Sequence, residues 1–360
     1  MRSGRMIWEE ILERPYIYRI REAGERENAY VLLSEGEVLV IDPRSPAMLR
    51  SIRRLACGLL YAEGIEHVSK EQIFFTDETL VAGMEDILQE SETGRERRTQ
   101  NADGTQNANG KEKADTGLNA FANVTANTKA GTLRIGGVLL CCIRAEGHAP
   151  GMRCLWLAEK GILFSGDIVG CDHLPEVPVR DKKVDALGLQ IETVRRLRRL
   201  PLQMILPGSG RAAGLDEAPE RTRAQDRGAV YPADACYRKD AGDERCAGNG
   251  KSAGNKKYGG NGKTAASCAR EVCTAVLDEM IRQYCIRILE VYQKVPLQGS
   301  ISLDKLKTRM KAAGTGRREE KSTESICRYL CDRKYIHARE DESGQTLYER
   351  GSVFLTDWKL

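Results

Sequence analysis

Two long polar tracts constrain this 360-residue chain more than any other feature. From Ser91 to about Ala130 the sequence opens "SETGRERRTQNADGTQNANGKEKADTG" and is rich in Asn, Gly, Thr, Lys and Glu. From Arg211 to about Ala266 a second tract closes on "GNGKSAGNKKYGGNGKTAAS". Neither holds enough apolar surface to offset the entropy of ordering it, so residues 91–130 read as a disordered insertion and 211–266 as a disordered linker. Folding is left to three apolar blocks. The first two, within 1–210, must build one domain across the insertion, and 267–360 makes a second unit.

Composition narrows the class. Charged residues are 30% and hydrophobic ones 41%, which suits a protein in water, and the net charge of +4 is too small to demand a polyanionic partner. No apolar run approaches a membrane span, and "MRSGRMIWEEILERPYIYRI" lacks the apolar centre of a signal peptide, so no membrane partner is expected. The 12 Cys are scattered, include the adjacent pair Cys141-Cys142, and never form a Cys-x-x-Cys pair. They read as free, mostly buried thiols of a reducing, cytoplasmic compartment, and not as a zinc knuckle.

Periodicity supplies the elements. "NAYVLLSEGEVLVIDP" is two strands around a turn at Gly36. "SPAMLRSIRRLACGLLYAEG" is a helix with Ser45 as N-cap and Pro46 at its first position. "EQIFFTD" is a buried strand and "TLVAGMEDILQE" a second helix. Beyond the insertion, "GTLRIGGVLLCCIRA" and "RCLWLAEKGILFSGD" are strands, with a turn near Glu159-Lys160-Gly161. "VDALGLQIETVRRLRRL" sets Leu187, Ile191, Val194 and Leu197 on one helical face, and "QMILPGSG" is a strand ending in a tight Gly loop. The last block predicts three helices, with Ser302 capping the second and Ile326, Tyr329 and Leu330 facing inward in the third. A hairpin turning at Ser343-Gly344 follows, and the whole is a winged-helix pattern.

Four stretches, in this order, resemble the metallo-β-lactamase superfamily: "NAYVLLSEGEVLVIDP", "IFFT", "EGHAPGMRCLWLAEKGILFSGD" and "ILPGSG". The last block resembles the winged-helix appendage of its β-lactamase-like and hydroxyacylglutathione-hydrolase-like branch. The resemblance implies an α+β fold, an αββα sandwich with a C-terminal winged helix. It also implies a metal site made from a His-x-His-x-Asp-His motif, a later His, a bridging Asp and a last His. Here the later His matches His148 and the bridging Asp matches Asp167. The main motif falls on "FFTDETLVAGMEDIL", which contains no His, and Ser209 stands where the last His would be.

Catalytic zinc keeps about three protein ligands and an open position for water. His148 and Asp167 alone fall short of that, so they read as vestiges of a metal site. No cofactor is expected, and the chain reads as a degenerate, non-hydrolytic member acting as a binding or scaffold protein through a protein partner or a homodimer. The alternative is an active hydrolase of an ester, thioester or phosphodiester, holding zinc or another divalent cation through Asp77, His148 and Asp167, with Glu78, Glu85, Asp86, Asp172 and His173 nearby in sequence. His148 also reads as a turn-stabilising hydrogen bonder, and Asp42 and Asp167 as acceptors of backbone N–H groups. Ser209 is not expected to be a nucleophile, because no His or second partner in the sequence points to a triad. His67 and His337 read as surface residues.

A nucleic-acid partner is disfavoured. From Thr264 onward 17 Lys or Arg face 14 Asp or Glu, and the wing tip carries Glu340-Asp341-Glu342. The basic stretch "KTRMKAAGTGRR" leaves Lys307, Arg309, Arg317 and Arg318 as the residues that would meet a phosphate backbone.

Overall fold

The structure, a computed structural model, describes residues 5–65, 68–77, 80, 131–181, 183–214, 265–312 and 318–353. Residues 91–130 and 215–264 of the polar tracts, His67, Glu78, Glu85, Asp86, Arg317 and the expected helix beyond Leu80 lie outside them. The ends of the expected 211–266 linker are ordered instead: Ala213 is buried and bridges to Ile205, and a helix begins at Ala265. The first sheet contains β1 (Met6–Glu13), β2 (Tyr16–Glu22), β3 (Ala29–Ser34), β4 (Glu37–Ile41) and β5 (Lys70–Phe74), in that order. Strands β4 and β5 run parallel, joined by helix α1 (Pro46–Ala62). The second sheet has the order β10-β9-β8-β7-β6, from β6 (Thr132–Ile135), β7 (Val138–Arg144), β8 (Arg153–Leu157), β9 (Ile162–Gly166) and β10 (Met204–Pro207). Its parallel pair, β9 and β10, is joined by helix α2 (Ala186–Leu197).

Side chains alternate across a strand, so each sheet has two faces to bury. Tyr30, Leu32, Leu39, Ile41 and Phe74 point from the first sheet into the sandwich, where they meet Leu140, Leu155, Ile162, Phe164 and Leu206 of the second. The rings of Tyr30 and Phe164 meet edge to face, 5.4 Å apart at 70°. The alternate residues Val31, Leu33, Val38 and Val40 face outward beneath Met48, Leu49, Ile52 and Ala56 of α1. The expected cap holds: Ser45 accepts the Met48 N–H at 3.1 Å, and Pro46 occupies the first turn. On the far side Cys154, Leu163 and Ile205 lie under Leu187, Ile191, Val194 and Leu197 of α2, the face the periodicity predicts. The layers are helix, sheet, sheet, helix.

The C-terminal block adds α3 (Ala265–Lys294), β11 (Ile301–Ser302), α4 (Leu303–Ala312), α5 (Arg318–Asp332), β12 (Ile336–Glu340) and β13 (Thr346–Arg350). Its small sheet has the order β11-β13-β12. Ser302 accepts from the Lys305 N–H at 3.4 Å, and Ile326, Tyr329 and Leu330 are buried. Leu277, Met280 and Ile288 of α3 share one continuous apolar cluster with α2 and the second sheet. The block therefore packs directly on the sandwich.

Phe164 is fully buried between the sheets. Phe164→Ala should lower unfolding stability by about 3–5 kcal/mol, read from urea denaturation midpoints at unchanged slope. A loss below about 1 kcal/mol would mean the two sheets do not share this core.

Candidate functional site

The topology brings several loop residues to one rim. In each sheet the parallel pair ends at the same edge, and the chain leaves those ends as loops. Strand β4 leads to Asp42, β5 to Thr76 and Asp77, β9 to Asp167, and β10 to Gly208 and Ser209. Strand β7 runs antiparallel to β8, and β8 antiparallel to β9, so β7 also ends on this edge and leads to His148. Backbone bonds stitch the two rims together: the Arg153 N–H donates to the Thr76 carbonyl at 2.9 Å, and the Asn28 N–H to the Gly208 carbonyl at 2.8 Å.

Asp42 organises the centre. It is buried, with φ of +50°. Its Oδ1 accepts the Thr76 N–H at 2.7 Å and its Oδ2 the Thr76 hydroxyl at 2.6 Å, which ties the end of β4 to the end of β5. Burial pushes its carboxyl up to about 6; Arg44 and the two Thr76 bonds pull it down, and Asp167 pushes it up. Arg44 bridges outward from here. Its Nη2 donates to the Gly208 carbonyl at 3.1 Å and lies 3.8 Å from Asp167 Oδ2. Among the described residues its buried Nε finds no hydrogen-bond partner.

The other residues singled out from the sequence have separate surroundings. His148 Nδ1 lies 2.7 Å from the Glu176 carbonyl, which makes Nδ1 the protonated nitrogen. Asp77 Oδ2 faces Arg180 Nη2 at 3.9 Å. His337 is exposed on β12. Arg309, one of the four basic residues that would meet a phosphate backbone, donates to the Lys294 carbonyl at the end of α3, at 3.0 Å. Lys307 lies on α4 and Arg318 opens α5.

The donor set does not suit the zinc site that the fold family implies. Asp167 and Asp77 each face an arginine, and a divalent cation beside a guanidinium is repelled. Among the described residues no three His, Cys, Asp or Glu side chains gather in a metal-holding group. Arg44 and Arg180 carried no motif signal, and only the folded rim reveals them.

The loop after β9 supplies Ser209 with a partner that the sequence did not point to. Its Oγ lies 3.2 Å from His173 Nε2, and His173 Nδ1 lies 2.8 Å from Asp172 Oδ1. Asp172 Oδ2 accepts from Arg26 Nη2 at 2.8 Å. Burial alone would raise the Asp172 carboxyl, but His173 and Arg26 together outweigh it and hold the group below its ordinary value. Ser209 thus has a His partner, 36 residues away in sequence.

Solved structures share this architecture. A β-lactamase domain protein from Burkholderia ambifaria matches with a TM-score of 0.52 and 14% identity, over 97% of this chain and 93% of that one. A metallo-β-lactamase family protein from Thermus thermophilus is 13% identical, with a TM-score of 0.48, over 97% of this chain and 99% of its own. The Burkholderia match carries the assignment: the chain has the metallo-β-lactamase-like fold. What is shared at such identities is the fold alone. No family sequence model matches the chain, and no curated protein matches it by sequence.

The surroundings of Asp42 set a pH dependence. Its folded-state value of about 6 lies above the unfolded one, so between about pH 4 and 6 the folded state holds the extra proton. Stability from this group is full below that window and is lost as pH rises through it, by roughly 3 kcal/mol at neutral pH. Asp42→Asn keeps one acceptor for the Thr76 N–H and offers its amide to the hydroxyl. The variant should gain stability relative to the parent as pH rises from 4 to 7, read from paired denaturation curves. A difference constant across that range would show that Asp42 is ionised in both states.

Proposed function

We propose that this chain is a metallo-β-lactamase-fold protein that does not run the fold's zinc-dependent hydrolysis and acts by binding a ligand or partner at its rim. One observation carries the reading: Arg44 faces Asp167 and Asp42, and Arg180 faces Asp77, so guanidinium groups supply the positive charge these carboxylates need. Guanidinium groups cannot lower the pKa of a bound water as zinc does, so this rim has no hydroxide nucleophile of that kind at neutral pH. The C-terminal block, which we read as a winged helix, serves as a packing unit. Tyr284 on α3 donates to the Pro175 carbonyl at 3.0 Å, and Ser325 on α5 donates to the Val177 carbonyl. These bonds hold the loop that carries Asp172 and His173. The use of Arg309 within the chain supports packing over nucleic-acid binding. No helix among the described residues is long and apolar enough to cross a membrane, which accords with a protein working in the cytoplasm.

Elemental analysis tests this reading. Untagged protein exposed to zinc, manganese and magnesium and then dialysed should retain well under one metal ion per chain, no more than a His148→Ala/Asp167→Ala control. Stoichiometric metal, lost in that control, would restore the metallohydrolase reading with His148 and Asp167 as ligands.

A further inference from the structure

We propose that Ser209, His173 and Asp172 form a nucleophilic relay that hydrolyses small carboxylic esters without a metal ion, an inference that rests on the metal-independent reading above. The order of groups is the one a serine nucleophile requires: hydroxyl, then one ring nitrogen, then the other ring nitrogen against an acid. Asp172 on Nδ1 fixes the tautomer, so Nε2 presents its lone pair to the Ser209 hydroxyl at 3.2 Å. Arg26 pins the second Asp172 oxygen, so the acid stays ionised and aimed.

The backbone is built to admit this arrangement. A Cβ on Gly170 would fall 2.2 Å from the His173 carbonyl oxygen and 3.0 Å from its ring Cε1. A Cβ on Gly210, where φ is +80°, would fall 2.1 Å from Asp172 Oδ1. Two glycines thus clear the room in which the acid and the base close on the serine. The Ser209 loop is clamped on both sides, since the Gly210 N–H donates to the Arg26 carbonyl at 2.8 Å and the Asn28 side chain donates to the carbonyls of Pro207 and Gly210, each at 2.9 Å. The His173 loop is held by Gln190, whose amide donates to the Ile168 carbonyl at 2.8 Å, and by Tyr284 on Pro175. The relay still reaches solvent, with the His173 and Asp172 side chains 20% and 29% exposed. A site that is fixed yet open is what a small ester needs. Beside it, Arg44 Nη2 grips the Gly208 carbonyl next to the nucleophile at 3.1 Å, which places a positive charge against this loop.

The chemistry balances with water as the only co-reactant. The Ser209 oxygen attacks the ester carbonyl carbon while His173 Nε2 takes the hydroxyl proton. The tetrahedral intermediate collapses, the bond to the leaving alkoxy oxygen breaks, and His173 returns the proton so that an alcohol departs. Water then attacks the acyl-serine with His173 again as base, releasing the carboxylic acid and restoring the hydroxyl.

The test uses the full chain with an excess of EDTA. It is treated with a fluorophosphonate probe, which a nucleophilic serine phosphonylates with loss of fluoride, and separately with p-nitrophenyl acetate. Mass spectrometry of the labelled protein should find one adduct per chain, on Ser209. Ser209→Ala should remove the adduct, His173→Ala should slow labelling by at least ~100-fold, and Asp172→Asn should lower kcat for the ester by about 10²–10⁴ with little change in KM. Circular dichroism and melting curves establish that each variant is folded. Should folded, metal-free parent protein take up no label at Ser209, the relay is only a hydrogen-bonded loop lock and the inference fails while the metal-independent reading stands. Ester hydrolysis that disappears with EDTA and returns with zinc, without a Ser209 adduct, overturns both.

Discussion

Asp42 is a carboxyl group taken out of water at the end of a strand, and a buried acid must find partners or stay protonated. It does some of each: Thr76 donates to both of its oxygens, Arg44 lies close enough to draw it down, and burial still raises it to about 6. Much of the rim follows from this compromise. The Thr76 bonds lock the ends of β4 and β5 together, and the Thr76 carbonyl takes the Arg153 N–H from the second sheet. Arg44, needed near Asp42, also holds the Gly208 carbonyl and faces Asp167. One charged side chain thus links the first sheet to the loop after β10.

An arginine and a zinc ion answer the same electrostatic need in different ways. Both offset clustered carboxylates, but the metal also polarises water, whereas the guanidinium only fixes geometry and offers N–H donors. On the proposed reading, a rim organised by Arg44 holds its polar loops in place without supplying a hydroxide. What remains near it is side-chain chemistry, and Ser209 stands on the same loop that Arg44 grips. The C-terminal block braces one of these loops. Its helices α3 and α5 hold the carbonyls of Pro175 and Val177, which keeps the Asp172-His173 segment against the sandwich.

Much of the sandwich was legible in the sequence because its signals are local. The apolar runs of β3 and β4 around the Gly36 turn, the Ser45-Pro46 start of α1 and the apolar stripe of α2 each lie within one short window. The β1–β2 hairpin was not read. Glu9, Glu10, Arg19 and Arg21 break its apolar pattern, and on an edge hairpin such charges are tolerated, with Arg19 pairing Glu9 across the strands. Of the candidate site, only residues within a motif, such as His148 and Asp167, could be singled out from the sequence. Arg44 and Arg180 belong to no motif, because their role is set by what lies opposite them. The partnership of Ser209 with His173 was missed for a similar reason. Their 36-residue separation is closed by the parallel pairing of β9 with β10, which sequence spacing does not encode.

The central claim is that Arg44, and not a metal ion, neutralises this rim. Crystals soaked in zinc and measured above and below the zinc absorption edge test it most directly. The account predicts no anomalous peak at the rim, with the Arg44 guanidinium remaining on the Gly208 carbonyl beside Asp167. A zinc peak bound to His148 and Asp167, with Arg44 swung out toward solvent, would contradict it.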